Sequence, residues 1–242
     1  MRNQEGPEIR SNDPISHPQR VYFERVKRSL NGQTRWLDVG CGRRLAPLWM
    51  KEASVVEGAL KSGARSMIGI DTDFSALSDN RSHPFRINAD ARRLPFDDES
   101  FDLVTSNMVF EHIEAPLASL REIRRVLSAG GRLIILTPNW LDIVTIAARV
   151  VPNRWHPAIV SMIEERAPSD VYPTHFKFNR PTTIKKMLRD SGFERSAVES
   201  LEHPDVYYHM PFVAGVEAAW HRLANKWPLL RGALLIEAEI PF

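Results

Sequence analysis

Apolar residues recur along this chain with two periods, and the two periods alternate. Val21, Phe23, Val26 and Leu30 fall on one side of a helix expected from about Pro18 to Leu30. Arg35 to Val39 reads as a first strand ending in a glycine-containing turn. Ala53 to Leu60 has helical character, and Gly63 can stop it. Met67 to Ile70, Phe85 to Asn88 and Phe101 to Ser106 predict three further strands. Leu117, Leu120, Ile123 and Leu127 then recur every three or four residues, the stripe of an amphipathic helix expected to end at Gly130-Gly131. The continuous run Leu133 to Leu136 suits a strand covered on both faces.

Strands alternating with helices predict a mostly parallel, doubly wound α/β sheet, with right-handed crossovers placing helices on both sides. After Asn139 the rhythm breaks, and residues 140–175 read as an insertion holding Trp140, Trp155 and several prolines. Trp140, Leu141, Val144, Ala148 and Val151 approximate one helical face. Plain packing on the sheet accounts for most of them, and the segment as a whole suits a cover over a substrate or a peripheral membrane contact through 140–160. Thr182 to Ser191 predicts a helix capped by Gly192 in the left-handed conformation. Residues 196–242 are expected to supply the last strands, with Trp220 and Trp227 on an intervening helix. Residues 1–16, rich in Pro, Asn, Ser and Glu, predict a flexible arm, leaving 17–242 as one domain.

Composition narrows the classes. With 43% apolar residues, 242 positions suffice for one large domain. The 32 basic and 30 acidic residues leave a net charge of +2, no footprint for a nucleic-acid partner, and none is expected. Cys41 is the only cysteine, which excludes an intramolecular disulfide and a cysteine-based zinc site, and no metal is expected. Met1 to Ser16 is polar, unlike a signal peptide, and no apolar run reaches the roughly 20 residues of a membrane span. A cytoplasmic protein is the expectation.

Candidate chemistry collects at three strand ends. Leu37-Asp38-Val39-Gly40-Cys41-Gly42 closes the first strand, where glycines let the backbone turn sharply and approach a ligand. Ile68-Gly69-Ile70-Asp71 puts an acid after the second strand, positioned for two ribose hydroxyls. Asn88-Ala89-Asp90-Ala91 puts another after the third, suited to an adenine amine. A doubly wound sheet brings all three to one edge, beside the switch point.

The order LDVGCG, GID, NADARRLPFDDESFDLVTSNMVFEHI and LREIRRVLSAGGRLIILTPN, over about residues 34–139, resembles class I S-adenosylmethionine-dependent methyltransferases. More narrowly it is similar to the small-molecule group that includes the ubiquinone and menaquinone biosynthesis enzymes. The resemblance implies a Rossmann-like, mostly parallel seven-stranded sheet and S-adenosylmethionine as cofactor. It places Asp38, Gly40 and Gly42 along the methionine end, with Asp38 near the ammonium group. Asp71 would bind the ribose, Thr72 would flank the adenine, and Asp90 with the backbone of Ala91 would hold the adenine edge. Asn107 and Met108 would sit beneath the sulfonium. The chain departs from the family at Arg44, where a further glycine is usual, and in the long spacing from Gly42 to Asp71. That spacing implies either a lengthened helix or a remodelled loop, and Arg43, Arg44 or Arg20 could pair with the methionine carboxylate.

Methyl transfer to a hydroxyl requires removal of a proton, and histidine is the natural group for that near neutral pH. His112, beside Glu111 after the fourth strand, and His175, after the insertion, are the candidates, with Asn139 bordering the acceptor. The expected activity is methylation of a small, apolar or lipid-like acceptor, at oxygen. The alternatives are a non-catalytic methyltransferase-like binding protein and an RNA or protein methyltransferase. A nicotinamide-dependent oxidoreductase shares the glycines and Asp71 but leaves the Asp90 region unexplained.

Overall fold

Alternate residues of the central strands face two different apolar layers. The computed structural model describes residues 17–47, 49–143, 145–146, 172–202 and 211–241. In chain order these form α1 (Pro18–Arg28), β1 (Thr34–Val39), α2 (Ala53–Gly63), β2 (Ala64–Asp71), α3 (Phe74–Asp79), β3 (Phe85–Asn88) and β4 (Phe101–Asn107). There follow α4 (Pro116–Val126), β5 (Leu127–Pro138), α5 (Pro181–Asp190), β6 (Arg195–Leu201), α6 (Pro211–Lys226) and β7 (Ala233–Glu239). The seven strands lie in the order β3-β2-β1-β4-β5-β7-β6, and β7 runs antiparallel to both its neighbours. This is the expected Rossmann-like α/β sheet.

Leu37, Val104, Leu133 and Ile135 point to the layer formed by Leu120, Ile123 and Val126 of α4 and by Ile184 and Leu188 of α5. Trp36, Leu103, Ile134 and Leu136 point the other way, to Tyr22, Phe23 and Val26 of α1 and Leu60 of α2. Each fully buried aliphatic side chain contributes about 1.5–3 kcal/mol of transfer free energy, so both helical layers are held by the sheet they cover. Asp102 ties the starts of β1 and β4, accepting from the Arg35 backbone N–H (2.8 Å) and guanidinium (2.7 Å).

Several boundaries differ from the sequence expectation for identifiable reasons. The α4 helix ends at Val126, and Gly130-Gly131 lies within β5, where the register with β4 jumps from Phe101–Leu127 to Leu103–Arg132. A Cβ on Gly131 would sit 2.7 Å from the Ser128 carbonyl, so the glycine pair makes a strand irregularity and not a helix stop. Tyr22 of α1 is buried, whereas the expected Val21 is half-buried. Trp227 lies just beyond α6 and is exposed. Gly192 does adopt the left-handed conformation after α5, with φ +89°. The arm over residues 1–16 and most of the proposed insertion, including Val144, Ala148, Val151 and Trp155, lie outside the described residues. Among the described residues no helix is long and apolar enough to cross a membrane.

Candidate functional site

The parallel register brings the predicted residues to one edge. Val39 pairs with Ile70 and with Ser106, Asp71 with Asn88, and Asn107 with Leu136. The turns leaving β1, β2, β3 and β4 are therefore neighbours, with the order reversing between β1 and β4.

The turn after β1 is built from left-handed glycines, Gly40 at φ +74° and Gly42 at φ +50°. A Cβ on Gly40 would meet Val109 Cγ2 at 2.4 Å, so Val109 requires a glycine there. A Cβ on Gly42 would meet nothing within 4 Å among the described residues, so at that point the turn has room for a ligand. The backbone N–H groups of Gly40 and Cys41 both donate to the Ile70 carbonyl, at 2.8 and 3.0 Å. Gly42 N–H donates to Asp71 Oδ2 at 2.9 Å, and Asp73 N–H to Asp71 Oδ1 at 2.9 Å. Asp71 is thus fixed by one donor on each oxygen while staying partly open to solvent, and Thr72 beside it is exposed. Asn88 Nδ2 donates to the carbonyls of Asp71 and Thr72, stitching β3 to the same turn.

The long spacing from Gly42 to Asp71 is a remodelled loop. Helix α2 begins only at Ala53, and Leu45, Ala46 and Met50 of the connection are buried against α1. The donors bordering the glycine turn are consequently loop amides and not the start of a helix. Two of the arginines considered for a carboxylate are engaged elsewhere, Arg43 with Asp79 and Arg20 with Glu52. Arg44 is exposed.

Asp38 lies beneath the turn, 5% exposed. Trp36 Nε1–H donates to Thr105 Oγ1 at 2.7 Å, which leaves the Thr105 hydroxyl proton for Asp38 Oδ1 at 2.6 Å. The other oxygen, Oδ2, lies 2.9 Å from Nε2 of His83, a residue the sequence reading did not single out. Burial and the Asp38 charge push the neighbouring Tyr22 phenol up. Burial, followed by the charges of Asp38 and Asp71, pushes the Cys41 thiol up as well, so Cys41 is no nucleophile.

Asp90 accepts from the backbone N–H of Arg92 at 2.8 Å and from its guanidinium at 2.6 Å, which holds the Asp90 carboxyl below the usual range. Ala91 beside it is half-buried against the core. At the end of β4, Asn107 Nδ2 donates to Gln19 Oε1 of α1 at 2.7 Å, and Asn107 Oδ1 is buried without a partner. Met108 follows at φ +55°, uncommon for a non-glycine residue, with its N–H on the Leu136 carbonyl at 2.8 Å.

Residues 172–177 run from β2's turn to that of β4. The Tyr172 hydroxyl donates to Asp73 Oδ2 at 2.5 Å, and this bond is the largest cause holding the Asp73 carboxyl down. The N–H groups of His175 and Phe176 donate to the Glu111 carbonyl at 2.7 and 3.1 Å. His112 Nδ1 lies 2.9 Å from the Pro173 carbonyl, so Nδ1 carries the hydrogen and Nε2 is the nitrogen left to accept a proton. Glu111 Oε1 lies 3.9 Å from that Nε2, and the buried Glu111 also accepts from Thr137 Oγ1 at 3.2 Å. The His175 side chain is exposed. Asn139 is fully buried, and its Nδ2 donates to the carbonyls of Leu229 and Arg231, a structural anchor for the entry to β7. Among the described residues no group of three or more His, Cys, Asp or Glu could hold a metal ion.

A family model described as a methyltransferase domain matches residues 37–135. A demethylmenaquinone methyltransferase of Staphylococcus epidermidis is 31% identical over 202 residues, covering 79% of this chain and 82% of that protein. A Clavibacter sepedonicus protein of the same name is 31% identical, covering 69% of this chain, which spans 65% of that relative's length. A ubiquinone/menaquinone biosynthesis C-methyltransferase of Salmonella paratyphi B is 32% identical over 45% of each chain. The crystal structure of an S-adenosylmethionine-dependent methyltransferase from Mesorhizobium loti has the same fold, with TM-score 0.59, 19% identity and coverage of 92% of this chain and 97% of that one.

Proposed function

The chain belongs to the class I S-adenosylmethionine-dependent methyltransferases, and from that premise we propose that it methylates a small, apolar, hydroxyl-bearing acceptor of the quinone-precursor type. The residues present fit the cofactor. Asn107 Oδ1 is a buried acceptor without a donor at the end of β4. Gly42 borders open space, and Asp71 offers a fixed, partly exposed carboxylate at the end of β2. An ammonium group would supply the donor that Asn107 Oδ1 lacks, and ribose hydroxyls could add to the open side of Asp71, whose oxygens each have acceptor capacity left. When bound, S-adenosylmethionine supplies a methyl group already activated on a positively charged sulfur.

In this reading Gly40, Gly42 and Asn107 hold the amino-acid end, with Asp38 supporting the turn from below. Asp71 takes the ribose. Thr72, Asp90 and Ala91 take the adenine, and Met108 lies along the methyl-donor end. The acceptor enters between the turn after β4 and residues 172–177, where His175 lies at the rim. His112 Nε2 removes the acceptor's hydroxyl proton while the Pro173 carbonyl keeps the ring in one tautomer. The observation that carries this reading is the single available nitrogen of His112 beside the cofactor edge. Transfer at oxygen is the first reading. Transfer to a ring carbon made nucleophilic by the same deprotonation is the second, favoured by the name of the Salmonella relative.

The test is incubation with methyl-labelled S-adenosylmethionine and a panel of demethylated quinols, hydroxylated aromatics, lipids and tRNA. Label in a small aromatic product is the expected result, and NMR separates an O-methyl from a C-methyl. His112→Asn is expected to lower turnover by about 10²–10⁴ with cofactor affinity retained. Label found only in RNA or protein would overturn the acceptor class, and unchanged turnover in His112→Asn the role of the base.

A further inference from the structure

Beneath the glycine turn lies a buried relay that nothing in the methyltransferase motif predicts. Asn80, fully buried after α3, donates from Nδ2 to the carbonyls of Cys41 (3.2 Å) and Gly42 (2.7 Å). Its Oδ1 accepts from the backbone N–H groups of Ser82 (2.9 Å) and His83 (3.0 Å), which fixes the orientation of the amide. The His83 side chain is wholly buried, with Nδ1 3.2 Å from that Oδ1 and Nε2 2.9 Å from Asp38 Oδ2. Arg86 closes the other side by donating to the carbonyls of Asn80 (2.8 Å) and His83 (3.0 Å). Gly69 of β2 has no room for a Cβ, which would lie 2.7 Å from Cys41 Sγ and 2.8 Å from His83 Cδ2. The strand is cut back so that the imidazole and the turn can touch.

We propose that His83 is a positioning residue for cofactor binding: its Nε2–H holds the Asp38 carboxylate beneath the turn while its backbone N–H holds Asn80, whose amide grips Cys41 and Gly42, so that the turn keeps the shape that receives the amino-acid end of S-adenosylmethionine. The physical reason is the cost of burying Asp38. A carboxylate removed from water needs a donor on each oxygen, and losing one partner leaves an uncompensated charge. Thr105 supplies one donor and His83 is the other. Without it, one oxygen of the buried Asp38 would have no donor, since the amides of the turn are already spent on the Ile70 carbonyl and on Asp71, and β1 would have to shift beneath the turn to find one. His83 touches no ligand atom, and its effect passes through the turn.

The inference rests on the cofactor reading, and two variants of the full chain test it. In His83→Gln the amide nitrogen can occupy the place of Nε2 and keep the bond to Asp38. In His83→Asn it reaches only the place of Nδ1 and loses that bond. Calorimetric titration with S-adenosylmethionine should leave His83→Gln within about threefold of the wild type and weaken His83→Asn about tenfold or more. His83→Asn should also melt below His83→Gln, so both titrations are made well below the two melting temperatures, where a purely structural role would move stability without separating the affinities. Wild-type affinity in His83→Asn, or equal loss in both variants, overturns the inference and leaves the cofactor reading standing. A wild-type chain that does not bind S-adenosylmethionine overturns the cofactor reading and this inference with it. Should His83→Asn not fold, the wild-type chain still decides. The imidazole ¹⁵N signal of His83, assigned by its loss in His83→Gln, must move on saturation with S-adenosylmethionine, and an unmoved signal refutes the proposal.

Discussion

Replacing Gly40 by alanine separates two costs that the turn after β1 imposes. At φ +74° an L-residue is strained by about 1–2 kcal/mol whatever surrounds it. The added methyl would also lie 2.4, 2.6 and 3.0 Å from Cγ2, Cγ1 and Cβ of Val109. Valine is branched at Cβ and stiff, so rotating its side chain cannot clear all three contacts. Overpacking of this kind costs about 1–3 kcal/mol, giving about 2–5 kcal/mol in total for Gly40→Ala. Val109→Ala removes two half-buried methyl groups, at about 1 kcal/mol. In the double variant the dihedral strain, that small loss and the milder 3.0 Å approach to the remaining Cβ are left. The pair should therefore be more stable than the sum of the singles by about 1–3 kcal/mol. Urea denaturation of the four proteins measures this directly, provided the m-values agree. Additivity within about 0.5 kcal/mol would refute the reasoning, since it would mean that Val109 does not define the glycine requirement.

Asp71→Ala should weaken S-adenosylmethionine binding at least tenfold in a calorimetric titration, and unchanged affinity would remove the ribose assignment. Because Gly42 and Asp73 lose their shared acceptor, the same variant should also be destabilised by about 1–3 kcal/mol in urea. Glu122 accepts from Arg125 (2.8 Å) and from the Leu94 N–H (2.9 Å), and the Arg125 bond first of all holds its carboxyl below the usual range. A depressed folded-state value adds stability above the ordinary carboxylate value of about 4.3, and that stability is lost as pH falls through the depressed value. Glu122→Gln should be less stable than the wild type at neutral pH and lose less on acidification below about pH 4. Parallel pH profiles of the urea midpoint would contradict this.

The period of the apolar positions was enough to place most elements of the sheet, because a strand covered on both faces and a helix covered on one cannot share a pattern. Phe85–Asn88 matches β3 at both ends, and the series Phe101–Ser106 falls one residue short of β4. The same local signals misled at Gly130-Gly131. A glycine pair after an apolar helix stripe reads as a stop, and only the pairing of β5 with β4 shows that it serves a strand irregularity. The glycine turn, Asp71 and Asp90 were legible because strand ends of a parallel sheet must share an edge.

What the sequence could not disclose is which of those groups are buried among long-range partners and which stay open to solvent. Asp38 and Asp71 look alike as acids at strand ends. Asp38 is occupied by the side chains of Thr105 and His83, 67 and 45 residues away, whereas Asp71 is held by the backbone amides of Asp73, 2 residues away, and Gly42, 29 away, and keeps an open side. Asn80-Arg81-Ser82-His83 carries a local turn signal, since an asparagine that accepts two later N–H groups shapes its own loop. Its grip on Cys41 and Gly42 has none, because that contact arises only when β1 and β2 pair and the loop beyond α3 is drawn under the turn. Residue types and their periods thus determined the layers and the strand ends, and the resemblance carried by the motif order implied the cofactor class. Burial and long-range hydrogen bonding decided the working orientation of each side chain, since a polar group's partners are chosen by the completed fold and not by its neighbours in the chain.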